Sequence, residues 1–426
     1  MVELVKQLNF WITVILGIAY AYQLVFVLVG LRQKKRHREP EAARLHKFAV
    51  VICARNEEGV IGELLDSLKR QKYPRELLDL YVVADNCTDD TAGAARKKGA
   101  FVYERFNEVE VGKGYALDYF FKRLYREKPH AGYEGYFVFD ADNIVDENFV
   151  AEMNRTFDKG DLDAITCYRN SKNFGDNWIS AGYSVWFLRE ARFLNFPRYL
   201  QGTNCAISGT GFLVSDRVVR ENGGWPFHLL TEDIQFSAEC AAKGRKIGYC
   251  DKAMVYDEQP VTMGQSWNQR MRWSKGFYQV DARYTVSLLK GIGQGGRKAF
   301  SCYDMFMTVA PGMLLTIGVM LIDVLIGFTC LTAPAWLAKI VLAQVLEVLG
   351  SAVVGFYFGM LFYGAITVAS EWKNILAKTS QKIGYLFTFP IFMLTYLPIA
   401  LAALVSKVEW KPIRHTSVQE RAEKAA

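Results

Sequence analysis

Long apolar stretches lie at both ends of this 426-residue chain, and shorter apolar runs alternate with polar residues between them. Residues 8–31 carry no charge, and this run exceeds the roughly 20 residues that a helix needs to cross the hydrocarbon core of a bilayer. Further apolar segments occupy residues 305–332, 340–369 and 383–406. The pattern predicts a membrane protein in which a large water-exposed domain separates an N-terminal span from C-terminal spans.

A basic cluster follows the first apolar run and predicts the orientation of the chain. It consists of Arg32, Lys34, Lys35, Arg36 and Arg38. Because basic residues beside a span stay in the cytoplasm, we expect the N-terminus outside and the central domain in the cytosol. A cleavable signal peptide is the alternative, but in a signal peptide the basic residues precede the apolar run.

The sequence leaves the number of C-terminal spans open. Four spans in all place the C-terminal tail outside, whereas its mildly basic composition favours the cytoplasm. A hairpin broken near Gly350 would add a crossing, so we expect three or four C-terminal spans. Pro390 and Pro398 predict a kink in the last one. Asp323 and Glu347 lie within predicted spans, where they either line a pathway or lie near a helix end.

Between the spans, short apolar runs alternate with segments of helical spacing. The apolar runs lie at 48–53, 80–84, 101–103 and 136–139, and the helical segments at 60–68, 90–98 and 115–125. This alternation predicts an α/β domain with a mostly parallel sheet and helices on both faces. The chain then divides into an N-terminal transmembrane helix (1–31), a basic juxtamembrane linker (32–47), the α/β domain (48–260), amphipathic interface helices (261–304), C-terminal transmembrane helices (305–406) and a polar tail (407–426).

Composition narrows the class of protein further. Hydrophobic residues make up 51% of the chain and charged residues 22%, which excludes a disordered protein. The eight cysteines include no CxxC pair, so the sequence does not predict a thiolate metal site. The net charge of +7 is modest, and its densest cluster adjoins the membrane, which favours the lipid bilayer over nucleic acid as a partner.

Acidic residues follow three of the predicted strands. Glu57 follows the first strand, Asp85 the second, and Asp140 and Asp142 the strand that ends at residue 139. Because parallel strands place their carboxyl ends at one edge of a sheet, we expect these side chains to lie close together. Converging carboxylates repel each other, and a hard divalent cation such as Mg²⁺ or Mn²⁺ relieves the repulsion. The sequence therefore predicts a site for a metal and a nucleotide at this edge.

Two neighbouring motifs are less specific. Asp161-Leu162-Asp163 repeats the spacing of the acidic pair, but it precedes an apolar stretch, which is typical of a solvated turn. Lys113 lies between two glycines at the start of a predicted helix, where backbone amides favour anions. Its spacing is not that of a P-loop, so Lys113 is either a contact for a diphosphate or part of an ordinary loop.

A third motif, Thr231-Glu232-Asp233, precedes a predicted helix. Thr231 is expected to cap this helix, and the two acids would occupy its first turn, where the helix dipole stabilises the ionised form. The same residue types also occur at ordinary acidic helix starts, so the motif alone does not decide between a functional and a structural role.

A fourth motif places three chemically distinct side chains on one helical face. Gln269, Arg272 and Trp273 are spaced at i, i+3 and i+4. Arginine suits the oxygens of a diphosphate, and tryptophan suits stacking on the face of a sugar ring. An amphipathic helix with its tryptophan at the level of the lipid headgroups is the alternative, and the two interpretations are compatible.

The ordered combination of Asp85, Asp140-Ala141-Asp142, Thr231-Glu232-Asp233 and Gln269-x-x-Arg272-Trp273 resembles the family 2 membrane glycosyltransferases. The similarity spans residues 8 to about 406 and points to the processive synthases of cellulose, chitin, hyaluronan and poly-N-acetylglucosamine. It implies a GT-A fold and a UDP-sugar donor. Ser208-Gly209-Thr210-Gly211 lacks the proline of the hyaluronan-synthase pattern, so hyaluronan is the less favoured product.

The same resemblance implies a role for each motif residue. Glu57 and Asp85 correspond to contacts with the uracil base, Lys113 to a contact near the diphosphate, and Asp140 and Asp142 to the nucleotide and metal aspartates. Asp233 corresponds to the general base of an inverting transfer, beside the second acid Glu232 and the substrate-binding Thr231. Gln269, Arg272 and Trp273 correspond to contacts with the acceptor end and the pyrophosphate.

We therefore expect an enzyme of the plasma membrane that polymerises a UDP-sugar, either glucose or N-acetylglucosamine, into a β-linked extracellular polysaccharide. The growing glycan would leave through the protein's own transmembrane helices. One alternative is a single transfer to a lipid acceptor, as in ceramide or polyprenyl-phosphate glucosyltransferases. A remote alternative is a non-catalytic carbohydrate-binding membrane scaffold.

Overall fold

The computed structural model describes residues 2–33, 36–309 and 334–408, with residues 318, 319, 321, 322, 324, 325, 328 and 332 between the last two ranges. Most of the predicted span at 305–332, including Asp323, lies outside the described residues, as do Lys34, Lys35 and the tail beyond 408. The chain begins with two helices, α1 (Val2–Tyr20) and α2 (Tyr22–Arg32).

An eight-stranded mixed sheet forms the centre of the middle region. Its strands are β1 (Phe48–Ala54), β2 (Leu78–Asp85), β3 (Phe101–Arg105), β4 (Gly135–Asp140), β5 (Ile144–Val145), β6 (Ala164–Ser171), β7 (Phe212–Ser215) and β8 (Ile247–Asp257). They are arranged in the order β3-β2-β1-β4-β7-β6-β8-β5. The four strands that the sequence predicts form a parallel half, and β7 joins this half to β6 through an antiparallel pair on each side.

Helices cover both faces of this sheet, as predicted. Along β1, Ala49 and Val51 belong to one buried hydrophobic cluster, and Val50 and Ile52 belong to the cluster on the opposite face. All four side chains are fully buried. Because neither face of β1 meets water, its sequence is a continuous apolar run without polar alternation.

The middle region contains ten helices in its described residues. They are α3 (Ile61–Lys69), α4 (Thr91–Lys97), α5 (Lys113–Glu127), α6 (Phe149–Phe157), α7 (Trp178–Glu190), α8 (Phe196–Leu200), α9 (Asp216–Glu221), α10 (Glu232–Lys243), α11 (Met263–Ile292) and α12 (Gly296–Val309). A π-helical turn, Ala191–Asn195, connects α7 to α8. The predicted interface helices correspond to α11 and α12, although α12 continues past the predicted boundary at residue 304.

Two helices of the C-terminal part are long and apolar enough to cross a membrane. They are α13 (Ala335–Ser370) and the pair formed by α14 (Thr379–Leu394) and α15 (Tyr396–Val405). The first two helices of the chain add a third candidate if their pair, bent by 42°, is one span. Because α13 is continuous through Gly350, the hairpin considered at that position is wrong. Glu347 lies on the exposed surface of α13, with a hydrogen bond from Gln344 at 3.1 Å.

The last apolar segment is interrupted at one residue, Thr395, between α14 and α15, and the predicted kink stays a prediction. Pro398 has no amide hydrogen to donate to the carbonyl of Leu394, one turn earlier, so the helix is weakened there. Arg270 of α11 is fully buried against this break. Its guanidinium donates to the Phe392 carbonyl at 3.1 Å and to Thr395 Oγ1 at 2.6 Å. The arginine therefore fixes α11 to the C-terminal helices.

A buried carboxylate, Glu371, ties the juxtamembrane linker and the end of α13 to the sheet. It accepts a hydrogen bond from the Tyr168 hydroxyl at 2.6 Å. Arg36 of the linker lies 3.6 Å from Glu371 Oε2, and Arg192 of the π-helical turn lies 3.5 Å from Oε1. Arg36 also donates to the Asp251 carbonyl at 2.7 Å, so this member of the basic cluster is engaged inside the protein and does not serve lipid headgroups.

Replacing Glu371 by Ala leaves the charges of Arg36 and Arg192 buried without their carboxylate. We expect the free energy of unfolding to fall by about 3 to 5 kcal/mol, the usual cost of removing one partner of a buried ion pair. Thermal denaturation of the purified protein in detergent measures the change. Glu147→Ala is the matched control, because the pair of Glu147 with Lys72 is exposed on both sides and exposed pairs contribute about 0 to 1 kcal/mol. Equal melting temperatures for the two variants would contradict this prediction.

Candidate functional site

One cavity of about 320 Å³ collects the acidic ends of the strands and the motifs on α10 and α11. Every site residue that the sequence indicates lies in the wall of this cavity. These residues are Glu57, Asp85, Lys113, Asp140, Asp142, Thr231, Glu232, Asp233, Gln269, Arg272 and Trp273. Residues more than 200 positions apart in the chain thus line one cavity. Parallel strands end at the same edge of the sheet, which brings the residues after them together.

At one end of the cavity, Asp85 is held by a cation on the neighbouring strand. The parallel register pairs Asp85 at the end of β2 with Arg105 at the end of β3. Arg105 donates to Asp85 Oδ1 at 2.7 Å and to the Glu110 carbonyl at 2.7 Å. Burial raises the pKa of Asp85, and the guanidinium opposes this shift. Glu57 lies at the same end, just after β1.

Lys113 occupies the first position of α5 and is held in place on both sides. Gly112 before it has φ of +133°, a conformation that favours glycine. A Cβ on Gly114 would lie 2.0 Å from the Phe227 carbonyl oxygen, so this position has no room for a side chain. Lys113 forms an ion pair with Asp140 and donates to the Gly209 carbonyl at 2.7 Å.

The charge of Lys113 is favoured by its surroundings. Burial alone would lower the pKa of its ammonium, but the carboxylates of Asp140 and Glu232 raise it above the ordinary value. Lys113 is therefore a permanent cation in an acidic cavity. Its charge suits a ligand that carries more negative charge than a single carboxylate does.

Asp140 and Asp142 differ in exposure and partners. Asp140 ends β4 with its side chain 40% exposed, whereas Asp142 is buried. Asp142 Oδ2 accepts a hydrogen bond from the Glu258 amide at 3.0 Å. Within the described residues, no three histidine, cysteine or acidic side chains converge in a way that could hold a metal. Two carboxylates nevertheless fit a Mg²⁺-type site, because such ions are usually completed by waters and substrate phosphates.

Thr231 occupies the N-cap position of α10 and the two acids its first turn, as predicted, but the Thr231 hydroxyl makes no capping hydrogen bond. The Thr231 side chain instead packs against α11, where a Cβ on Gly276 would lie 2.6 Å from Oγ1. That buried hydroxyl has no hydrogen-bond partner among the described residues, and neither does the buried Oε1 of Gln269. Two polar atoms of the cavity wall are therefore available to hydrogen-bond a ligand.

Glu232 and Asp233 face the cavity at the start of α10. Burial and then the charge of Asp233 raise the pKa of Glu232 to about 7. Burial also raises the pKa of Asp233, although the backbone amides of Ile234 and Gly209 oppose the shift. Removal from water therefore outweighs the helix end in the pKa of both acids.

On α11, the cavity-lining face contacts the rings of α7. Trp273 packs edge to face against Tyr183 and Phe187, with ring centroids 5.6 and 6.1 Å apart. Gln269 and Arg272 lie on the same face and line the cavity, whereas Arg270 points to the break in the last helix. The tryptophan thus has a fixed place in the wall.

The structure adds lining residues that the sequence analysis did not assign to a role. Arg169 forms an ion pair with Asp257, with a hydrogen bond of 2.6 Å, and covers the ring of Phe187 at 3.7 Å. Glu190 and Ser208 complete this side. Arg169 could have been found, since it follows the apolar run at 164–167 as Asp140 follows its own strand.

The second acidic repeat lies outside the cavity lining, as its position before a strand predicts. Its description as a solvated turn is wrong for Asp163, which is buried. Asp163 Oδ2 accepts a hydrogen bond from the Lys246 amide at 2.7 Å, and Oδ1 accepts one from Arg217. Asp163 therefore stabilises the start of β6.

Comparison with known proteins gives one family. The model described as glycosyltransferase like family 2 matches residues 46–276, which is more than half of the chain. A β-monoglucosyldiacylglycerol synthase of Nostoc sp. is 26% identical over 308 residues, which cover 70% of this chain and 60% of that protein. A poly-β-1,6-N-acetyl-D-glucosamine synthase of Staphylococcus epidermidis is 24% identical over 265 residues, which cover 60% of each chain. The chain thus spans about 60% of the length of these curated relatives.

A solved structure supports the fold. The mannosyltransferase from Pyrobaculum calidifontis, determined with GDP-Man and Mn²⁺, matches with a TM-score of 0.56 and 18% identity, covering 96% of this chain and 100% of that one. The predicted GT-A fold is confirmed by this likeness and by the family match. The chain belongs to the glycosyltransferase like family 2.

Proposed function

We propose that this family 2 glycosyltransferase transfers a hexose from a UDP-sugar to the hydroxyl of a growing glycan, with inversion at the anomeric carbon. The observation that carries the proposal is that the acidic strand ends, the two acids of α10 and Trp273 line one cavity. The processive synthesis of a β-linked polysaccharide is supported by the resemblance to polysaccharide synthases and by the relative that makes poly-β-1,6-N-acetyl-D-glucosamine.

The donor would lie across the edge of the sheet. Glu57 and Asp85 would contact the base, and Lys113 the diphosphate, for which it would leave its ion pair with Asp140. Arg272, which lines the same cavity, would supply a second cation. The neighbour solved with GDP-Man and Mn²⁺ supports a nucleotide sugar and a divalent cation as ligands of this fold. The choice of uridine rests on the family resemblance.

Asp140 and Asp142 would hold Mg²⁺ or Mn²⁺ together with the diphosphate oxygens. Such an ion neutralises negative charge on the departing nucleotide. Thr231 Oγ1 and Gln269 Oε1, both buried and unsatisfied among the described residues, are available to the substrates. Trp273 would hold the acceptor sugar against its ring.

Asp233 is the proposed general base. It would accept the proton of the acceptor hydroxyl as that oxygen attacks the anomeric carbon, while the bond to the nucleotide breaks on the opposite side. Its raised pKa makes it a stronger base than an exposed aspartate. Glu232 contributes as the neighbouring acid: the charge of Asp233 raises the pKa of Glu232 to about 7, so Asp233 ionises first and is the one available as the base.

A single transfer to a lipid is the second candidate function. The relative that makes β-monoglucosyldiacylglycerol supports it. So do the apolar side chains in the part of the cavity beyond Asp233, namely Leu194, Leu230, Ile234 and Phe277. In both cases we propose that the catalytic domain faces the cytosol, because nucleotide sugars are made there and basic residues follow the first apolar run.

Incubating the purified protein with radiolabelled UDP-glucose or UDP-N-acetylglucosamine and Mg²⁺ or Mn²⁺ separates the two candidates. We expect label in a water-soluble ladder of products, because the cavity presents polar groups on its acceptor side. Gel electrophoresis and extraction into organic solvent measure the distribution. A single organic-soluble product would favour the lipid acceptor, and intact UDP-sugar would contradict transferase activity with these donors.

Asp233→Asn should abolish transfer while leaving UDP binding within about twofold of wild type. The amide keeps the size of the side chain but cannot accept a proton, and a general base contributes a factor of about a hundred or more. Release of UDP and calorimetric titration with UDP measure the two effects. Asp161→Asn, at the exposed acid outside the cavity, is the matched control. Turnover at the wild-type rate in Asp233→Asn would refute the assignment.

The pH dependence of the transfer rate should reflect the ionisation of Asp233 and Glu232. Asp233 acts only when deprotonated, and burial raises its pKa while that of Glu232 is raised to about 7, so the rate should rise with pH up to neutrality and fall in acid. Because the charge of Asp233 raises the pKa of Glu232, Glu232 is still protonated when Asp233 ionises. Glu232→Gln should therefore keep the acidic limb that belongs to Asp233 and lose any change of rate near pH 7. Initial rates from about pH 5 to 9 measure the two limbs. A change of rate near pH 7 that persists in Glu232→Gln would contradict this assignment.

A further inference from the structure

The cavity continues beyond the residues assigned to donor and base, along α7 and the π-helical turn. Trp186, Phe187 and Glu190 of α7 line this part, and Leu194 follows them in the turn. Positions 186, 187 and 190 are spaced at i, i+1 and i+4, so the carboxylate lies about one helical turn from both rings. Glu190 directly precedes the π-helical residues Ala191–Asn195, and such turns are frequent at functional sites.

Glu190 is an acid without a salt bridge among the described residues. Its carboxylate accepts one hydrogen bond there, from Ser208 Oγ at 3.2 Å through Oε2. Burial raises the pKa of Glu190, although Arg169 and Arg198 act in the opposite direction. A carboxylate has about four acceptor positions, so most of its hydrogen-bonding capacity remains for a ligand in the cavity.

A short loop connects this carboxylate to the proposed base. Ser208 bonds to Glu190, and the next residue, Gly209, adjoins Asp233: a Cβ on Gly209 would lie 3.8 Å from Asp233 Oδ2. Gly209 has φ of +77°, and its carbonyl accepts the hydrogen bond from Lys113. Glu190 and Asp233 thus adjoin consecutive residues of one loop, and both line the same cavity.

We propose that Glu190 is a specificity-determining residue that binds a second hydroxyl of the acceptor, so that the acceptor of this enzyme ends in a sugar. This inference rests on the proposed function, since it assumes that Asp233 deprotonates the attacking hydroxyl. A sugar offers neighbouring hydroxyls to Glu190 while one of its oxygens attacks. Diacylglycerol has a single hydroxyl, which Asp233 would engage, and it would leave Glu190 buried against hydrocarbon at a cost.

Two kinds of acceptor can offer a terminal sugar to this site: a free oligosaccharide and a sugar already attached to a lipid. Aromatic rings and a carboxylate on one helical face suit either, because the rings contact the apolar face of a sugar and the carboxylate accepts from its hydroxyls. The test therefore uses both kinds of acceptor together with a lipid that carries no sugar.

Glu190→Ala and Glu190→Gln are assayed as full-length protein in detergent or in phosphatidylcholine vesicles. The acceptors are cellotetraose, chitotetraose, glucosyl-dioleoylglycerol and dioleoylglycerol, with the UDP-sugar that wild type turns over. KM and kcat for each acceptor are measured, together with the slow hydrolysis of the UDP-sugar in the absence of acceptor, which does not involve this subsite. Glu221→Ala is the matched control, because Glu221 is a partly exposed acid on α9 outside the cavity.

We expect Glu190→Ala to raise KM for the sugar acceptor about tenfold or more, the effect of losing a hydrogen bond to a charged group. Glu190→Gln, which keeps an acceptor oxygen, should lie between Ala and wild type. Donor hydrolysis and the KM for the UDP-sugar should stay within about twofold of wild type. Because glutamine preserves the size of the side chain, it also separates lost recognition from lost folding. The acceptor that responds, oligosaccharide or glucosyl-lipid, identifies the source.

Two results would overturn the inference while leaving the proposed function intact. One is turnover in which both Glu190 variants keep the wild-type KM for every acceptor. The other is efficient transfer to dioleoylglycerol that is unchanged in Glu190→Ala. Absence of both transfer and donor hydrolysis in wild type would instead contradict the proposed function, and the inference with it.

Discussion

The repulsion among carboxylates in one cavity is the constraint on which this structure depends. Acidic side chains outnumber basic ones in the cavity wall, and the protein compensates some of them with fixed cations. Arg105 is paired with Asp85, Lys113 with Asp140, and Arg169 with Asp257. Glu190, Glu232 and Asp233 have no such salt bridge among the described residues, and burial raises the pKa of each. The cavity therefore divides into paired acids, suited to binding, and unpaired acids, suited to accepting protons or hydroxyl groups.

The position of the cavity depends on buried charge elsewhere in the protein. Arg270 lies within the same motif as Gln269 and Arg272 but points in the opposite direction, to the break between α14 and α15. One turn of α11 thus contributes to the cavity wall and to the attachment of the C-terminal helices. Glu371 connects the C-terminal end of α13 to Tyr168 on β6. Tyr168 lies three residues beyond the last antiparallel contact between β6 and β7. A shift of the terminal helices would accordingly displace residues next to the cavity.

The sequence predicts the parallel half of the sheet and the convergence of its acidic ends, because buried parallel strands are continuous apolar runs with polar residues after them. It does not predict β7, β5 or the way β8 joins the sheet, since pairing between distant strands leaves no local pattern. Arg105 shows the same limit: its role follows from the register that sets it beside Asp85, and not from its neighbours in the chain. Thr231 shows the limit for a side chain: its N-cap position is predicted, but its packing against Gly276, without a capping hydrogen bond, depends on a distant helix.

Lys113 contacts a short loop that connects two parts of the cavity wall. Its ammonium is shared between Asp140 and the carbonyl of Gly209, and Gly209 in turn adjoins Asp233. A diphosphate that draws Lys113 away from Asp140 would release that carboxylate to a cation and change the charge facing the carbonyl of Gly209. Because Ser208, next to Gly209, holds Glu190, the same displacement reaches the side of the cavity assigned to the acceptor. In the proposed function, the loop at 208–209 therefore adjoins groups of both the donor half and the acceptor side.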